Sequence, residues 1–407
     1  MPQNADTPAD RLREWRRRRG FTQEQLAEQA GLSLAVVKKL ERGGAGRLET
    51  YHALARALRV RTSQLFDAQP PHTTRHDDSG NLALMGFRRA LVPPVTAGGR
   101  RLDTVEPDLD LAQMARTATS LREAYQADGY ATVAELLPHL VTGAQLAVDH
   151  YSGRPEHTEA LRLRSDVLQQ AAGYLTQIRV YDLAHLALRD ARRDALAAGD
   201  TLRAGSAVSL QAWTLIREGR LDEAERLSVA SAEEIEPRIS SATKDALGVW
   251  GKLWLKASAA ASRNNRPGEA REMLRLARTA GAAVGPAGGA KRYRCGAFSS
   301  SSVLIQTAEN YAVTDQPRRV LGMSERMRQA QAPTSNTGHR HMLDVAWAHL
   351  QLRNPGEAEN VLAGLHSGAR DWLRHQRMAR DTFHGILRGS RQRVSKRQRE
   401  LAKFFDV

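Results

Sequence analysis

Residues 22–43 read TQEQLAEQAGLSLAVVKKLERG, and their spacing predicts a helix, a tight turn and a second helix. Thr22 stands where a hydroxyl can cap the first helix, and Gln25, three residues on, can return the bond. Leu26, Ala27 and Ala30 give that helix a buried stripe, and Gly31 suits a turn in which a β-carbon is costly. Ser33 caps the second helix, whose inner face falls on Val36, Val37 and Leu40. Working outward, RLREWRRRRG (11–20) forms a preceding helix that ends at Gly20. Gly43, Gly44 and Gly46 make a loop, LETYHALARAL (48–58) repeats the apolar period, and TSQLF (62–66) adds a last short helix. Five short helices are therefore expected between Asp10 and Phe66.

This segment resembles the Xre-type helix-turn-helix of phage repressors and bacterial regulators, through TQEQLAEQAG, the S…V…LERG pattern, LETYHALARAL and SQLF taken together. The resemblance implies that Gln23 anchors the start of the second helix on a phosphate. It places Ser33, Leu34, Ala35, Lys38 and Lys39 toward the major groove, with Arg42 and Arg47 near the DNA backbone, and it pairs Arg16 with Glu41 to tie the first helix to the third. Leu34 and Ala35 form no side-chain hydrogen bond, but an apolar side chain can contact a thymine methyl and Lys can reach guanine O6 and N7. Modest base reading with a large phosphate contribution is expected.

The 407 residues carry a formal charge of +15 and one cysteine, Cys295. Residues 1–66 hold 13 Lys or Arg against 7 Asp or Glu, residues 370–407 hold 11 against 4, and the 303 residues between are left with only +2. Basic ends favour an anionic partner, with nucleic acid leading. A single cysteine excludes an internal disulfide framework and fits a reducing compartment. MPQNADTPADRLREW lacks the pattern of a secretory leader, and no apolar run approaches the ~20 residues of a membrane span. A cytoplasmic, nucleoid-associated protein is the expectation.

Residues 67–110, with two Pro-Pro pairs and clustered polar residues, read as a connector in which LALMGFRRAL is a short helix or a patch on the next domain. Beyond it a spacing recurs: a small residue, a turn, and a second small residue twelve positions later. Ala212 and Ala224 fit, as do Ser258 with Ala270, Ala346 with Ala358 and Ala172 with Ala184, while Ala308 with Val320 is a looser copy. Two antiparallel helices crossing at these positions approach closely only if both side chains are small. Pro267, Pro317 and Pro355 fall at the starts of second helices, where a missing N–H is harmless. The pattern resembles the tetratricopeptide repeat, with a spacing of roughly 40–50 residues in place of about 34. A first pair around 121–140 keeps Ala134 but has Arg122 at its small position. Six helix pairs are expected over about 111–365, followed by basic terminal helices.

The fold expected is thus all-α: a five-helix DNA-binding head (1–66), a linker (67–110) and an α-solenoid of tetratricopeptide-like pairs (111–407). In that register the concave face includes Gln169, Gln177, Trp213, Arg217, Lys252, Arg263, Glu309 and Trp347, a mixture suited to a peptide or small molecule. No Walker loop, dinucleotide fingerprint, HExxH, zinc-spaced Cys and His, or nucleophile turn is present. His339 and His341 fall on different faces of a helix. Neither catalysis, a cofactor nor a metal is expected. The layout resembles actinobacterial-type regulators that join these two parts and, more distantly, the peptide-pheromone receptors. That implies a homodimer on a double-stranded operator, with a signal-sensing body. The alternative is a DNA-bound adaptor whose repeats hold a partner protein.

Overall fold

The structure, a computed structural model, describes residues 8–44, 48–60, 65, 78–98, 109–285, 288–327, 335–389 and 395–405. Twenty helices run through the described residues, and an isolated antiparallel β-bridge joins Gly289 to Phe298. The head comprises α1 (Pro8–Arg18), α2 (Gln23–Ala30), α3 (Leu34–Glu41) and α4 (Leu48–Ala57). The capping box is formed: Gln25 N–H donates to Thr22 Oγ1 (3.1 Å), and Thr22 N–H to Gln25 Oε1 (2.8 Å). Gly31 closes α2 at φ +65°, a left-handed conformation natural to glycine. Leu12, Leu26, Val37, Leu40, Leu54 and Leu58 meet in the head's core. The fifth helix expected at 62–66 lies outside the described residues except for the buried Leu65.

Within the expected connector, residues 78–91 form a helix, α5 (Asp78–Leu91). Phe87 is fully buried and stacks on Tyr174 with ring centroids 5.5 Å apart, so this stretch belongs to the core of the body. Hydrophobic residues recurring one helical turn apart explain this better than the flanking prolines do.

The body then alternates helices in hairpins. The pairs are α6 (Leu111–Gln126) with α7 (Tyr130–His150), α8 (His157–Gln177) with α9 (Tyr181–Ala197), and α10 (Thr201–Glu218) with α11 (Leu221–Glu234). They continue as α12 (Lys244–Arg263) with α13 (Pro267–Val284), α14 (Ser300–Val313) with α15 (Pro317–Met327), and α16 (Ser335–Gln351) with α17 (Pro355–Gly368). Ala172, Ala184, Ala212, Ala224, Ala346 and Ala358 are all fully buried, which is what a close crossing requires. Pro267, Pro317 and Pro355 open α13, α15 and α17.

Three terminal helices, α18 (Arg370–Arg374), α19 (Arg377–Gly389) and α20 (Lys396–Phe405), pack back on the last pair. They also meet the first pair. Asp128, in the turn between α6 and α7, accepts backbone N–H bonds from Asp371 (2.7 Å) and Trp372 (2.5 Å) at the start of α18. Tyr130 lies over His375 at 5.8 Å. One apolar cluster consequently spans both ends of the array, from Phe87 and Leu121 to Phe383 and Phe405. The repeats close into a ring.

Between α13 and α14 the chain makes a pinched loop, fastened by the Gly289–Phe298 bridge at 2.9 Å in both directions. The loop lies directly on α12, where a Cβ at Gly251 would stand 2.3 Å from the Phe298 ring and one at Gly248 would stand 2.8 Å from Ala290. Those two glycines let the loop carry Tyr293, Arg294 and Cys295 into the centre of the ring.

Candidate DNA-reading surface and a basic cavity

α3 is held by Val37 and Leu40, both buried, and this inward anchorage turns the opposite positions out. Ser33, Ala35, Lys39 and Arg42 are exposed, and Leu34 and Lys38 half-buried. Ser33 occupies the N-cap position with extended backbone, yet its hydroxyl makes no capping bond. The hydroxyl thus does not take the capping role expected from its position. Arg16 and Glu41 form the expected pair, with Nε–Oε1 at 2.6 Å and Nη2–Oε2 at 3.1 Å. Gln23 joins it, donating its amide Nε2 to Glu41 Oε2 at 2.6 Å, so in the free protein that amide faces the head rather than solvent. Arg47 lies outside the described residues.

The head rests on the body through α4, which meets α12. His52 is buried there and lines the edge of the central cavity. Burial, with Arg263 and Arg56 nearby, pushes its imidazole down to about 3, so it is neutral in this contact.

The cavity measures about 780 Å³. It gathers Gln169, Gln177, Trp213, Arg217, Lys252, Arg263 and Glu309, seven of the eight residues expected on the concave face. Trp347 is not among them: it is half-buried on α16 and lies outside the cavity lining. α19 packs against α16, while Trp372 on α18 and Gln376 in the turn after it line the cavity. Gln169 is largely spent on structure, with Nε2 donating to Ser165 Oγ (3.2 Å) and Oε1 accepting from Ser206 Oγ (2.7 Å).

Ten Lys or Arg side chains line the cavity against two Glu. Glu309 is ion-paired with Arg263 and, at 3.4 Å, with Arg340. Burial pushes its carboxyl up, but the two guanidiniums outweigh that and hold it at about 2. Lys256, Arg294 and Arg340 were not anticipated from the repeat register. Lys256 had a legible signal, since it lies one turn beyond Lys252 on the same helix face. Arg294 had none, because a loop delivers it. Burial pushes the thiol of half-buried Cys295 up, despite Lys252 nearby. Among the described residues no group of His, Cys, Asp and Glu could hold a metal, and no helix is long and apolar enough to cross a membrane.

The helix-turn-helix family model matches residues 12–65. No curated protein matches the chain. Among solved structures, Bacillus thuringiensis PlcR in complex with the peptide PapR7 and DNA is similar at 13% identity, covering 68% of this chain and 94% of that one, with a TM-score of 0.27. The chain carries an Xre-type helix-turn-helix domain at its N-terminus, followed by helical repeats.

Proposed function

We propose that the chain is a sequence-specific DNA-binding transcription regulator that works as a homodimer, and that its body senses a small molecule or peptide. The observation that carries the reading is the position of His52. It belongs to the head, is buried against the body, and sits beside Arg263, which at the same time grips Glu309 inside the cavity. A ligand that competes for Arg263 changes the seat of the head. The volume of the cavity is that of a small-ligand site. This favours a ligand over the partner protein of an adaptor.

Selection of random duplexes by the full chain tests the DNA reading: two related half-sites are the expected product, and no enrichment is the result against it. Affinity for the selected duplex should fall steeply with salt, by about 0.9 in log–log slope per phosphate contact. Sedimentation tests the dimer, since a monomer both free and on the selected duplex overturns it.

A further inference from the structure

We propose that the central cavity is a binding site for a small anionic ligand bearing phosphate or carboxylate groups, gripped by Lys252, Lys256 and Arg217. Its place in regulation rests on the sensing function proposed above; the binding itself does not. Lys252 and Lys256 lie one turn apart on α12, both line the cavity, and among the described residues neither forms an ion pair or hydrogen bond. Burial, with Lys252 adding to it, pushes Lys256 down to about 8, and burial also lowers Lys252. Desolvation likewise lowers Arg217, with Tyr181, which it hydrogen-bonds, working against the shift and Arg179 and Arg340 adding to it.

Lining residues with a buried side-chain atom that has no partner include Arg217 (Nη2), Arg294 (Nε and Nη1) and Gln177 (Nε2) among the donors and Asn336 (Oδ1) among the acceptors. Gln177 is itself only 4% exposed. Lys252 and Lys256, half-buried at the cavity wall with no carboxylate partner among the described residues, present ammonium donors that an acceptor-rich anion can satisfy. Glu309 shows how the wall treats a carboxylate, clasping it between Arg263 and Arg340. Lys252, Lys256 and Arg217 line the same cavity and can hold a second anion in the same way.

Titration calorimetry on the full chain at pH 7, with inorganic pyrophosphate and with citrate as probes, tests the site and separates its two chemistries. Saturable binding of either probe, weakened at least tenfold by Lys252→Gln with Lys256→Gln, is expected. At pH 8.5 the bound anion should draw a proton onto Lys256, seen as a dependence of the heat on buffer ionisation that Lys256→Gln removes. The probe-free double variant Lys252→Met with Lys256→Met should melt several degrees higher than the parent. No heat from either probe at millimolar concentration overturns the site, as does probe binding untouched by the Gln variants or a lower melting point for the Met variant. Loss of duplex affinity in the Gln variants without probe, equal to their loss of probe binding, would assign these lysines to DNA and also overturn it. Anion binding that leaves duplex affinity unchanged upholds the site and removes only the regulatory reading.

Discussion

The Ser258 hydroxyl donates to the carbonyl oxygen of Ala270 at 2.7 Å, twelve residues on and on the facing helix. Asn310 Nδ2, from the next hairpin, donates back to the same hydroxyl at 2.8 Å. One side chain small enough for a close crossing thus bonds three helices together. Ser258→Ala keeps the size and leaves the Asn310 amide and one carbonyl lone pair without this partner in a fully buried setting. A loss of about 1–3 kcal/mol in urea unfolding is expected. Unchanged unfolding would mean that water replaces the hydroxyl at no cost.

Ala212 and Ala224 face the same crossing one hairpin earlier, both with no exposed surface. Ala212→Leu or Ala224→Leu overpacks it, at roughly 1–3 kcal/mol and more where backbones nearly touch. Thermal melting of the body should drop while duplex binding by the head survives at low temperature. Equal melting of parent and variants would refute the crossing.

Ala35 and Lys39 are exposed one turn apart on α3, so both can reach neighbouring base edges. Lys39→Ala should cost roughly 1–3 kcal/mol at one favoured base and relax the preference there. Ala35→Gln should change which base is favoured, because an amide pairs with adenine. Gln23→Ala and Arg42→Ala should weaken all sequences alike. Binding-site selection with each variant decides, and wild-type motifs from the first two would mean that α3 is not the reader.

His52, held at about 3 in the docked head, ordinarily titrates near 6.5. The separated head therefore binds a proton that the docked head refuses. Docking is at full strength above 6.5 and weakens as pH falls from there toward 3. Arg263 and Arg56, the charged groups facing it, add repulsion against the protonated ring. Small-angle scattering at pH 7 and pH 5.5 should show the head leaving the body at the lower value, with His52→Phe holding it in place. A pH-independent profile in the parent would refute the coupling.

The helix periods, the caps and the twelve-residue offset are local signals, and each was readable without the fold. Six hairpins follow from them, and so do seven cavity residues. What local reading misses is what arrives from a distance: Arg294 on its loop, Trp372 brought to the wall by a terminal helix, and Asp128 reaching Asp371. Charge was hidden by averaging. Residues 67–369 carry +2, while nine cations and two acids of that stretch line the cavity, so +7 inside is offset by −5 elsewhere. Ser33 shows the limit at a single residue, since its position dictated a cap and its hydroxyl declined one.

A linear stack of repeats behaves like a zip, in which each unit leans on its neighbours and the outermost units fray first. The bonds from Asp128 to α18 give the outermost units a neighbour on both sides, making the body a hoop with no loose tooth from which to start. Opening any one hairpin then strains the whole circumference. Backbone amides of α6 and α7 should accordingly exchange with solvent as slowly as those of α10 and α12, and all of them should be released together when the hoop breaks.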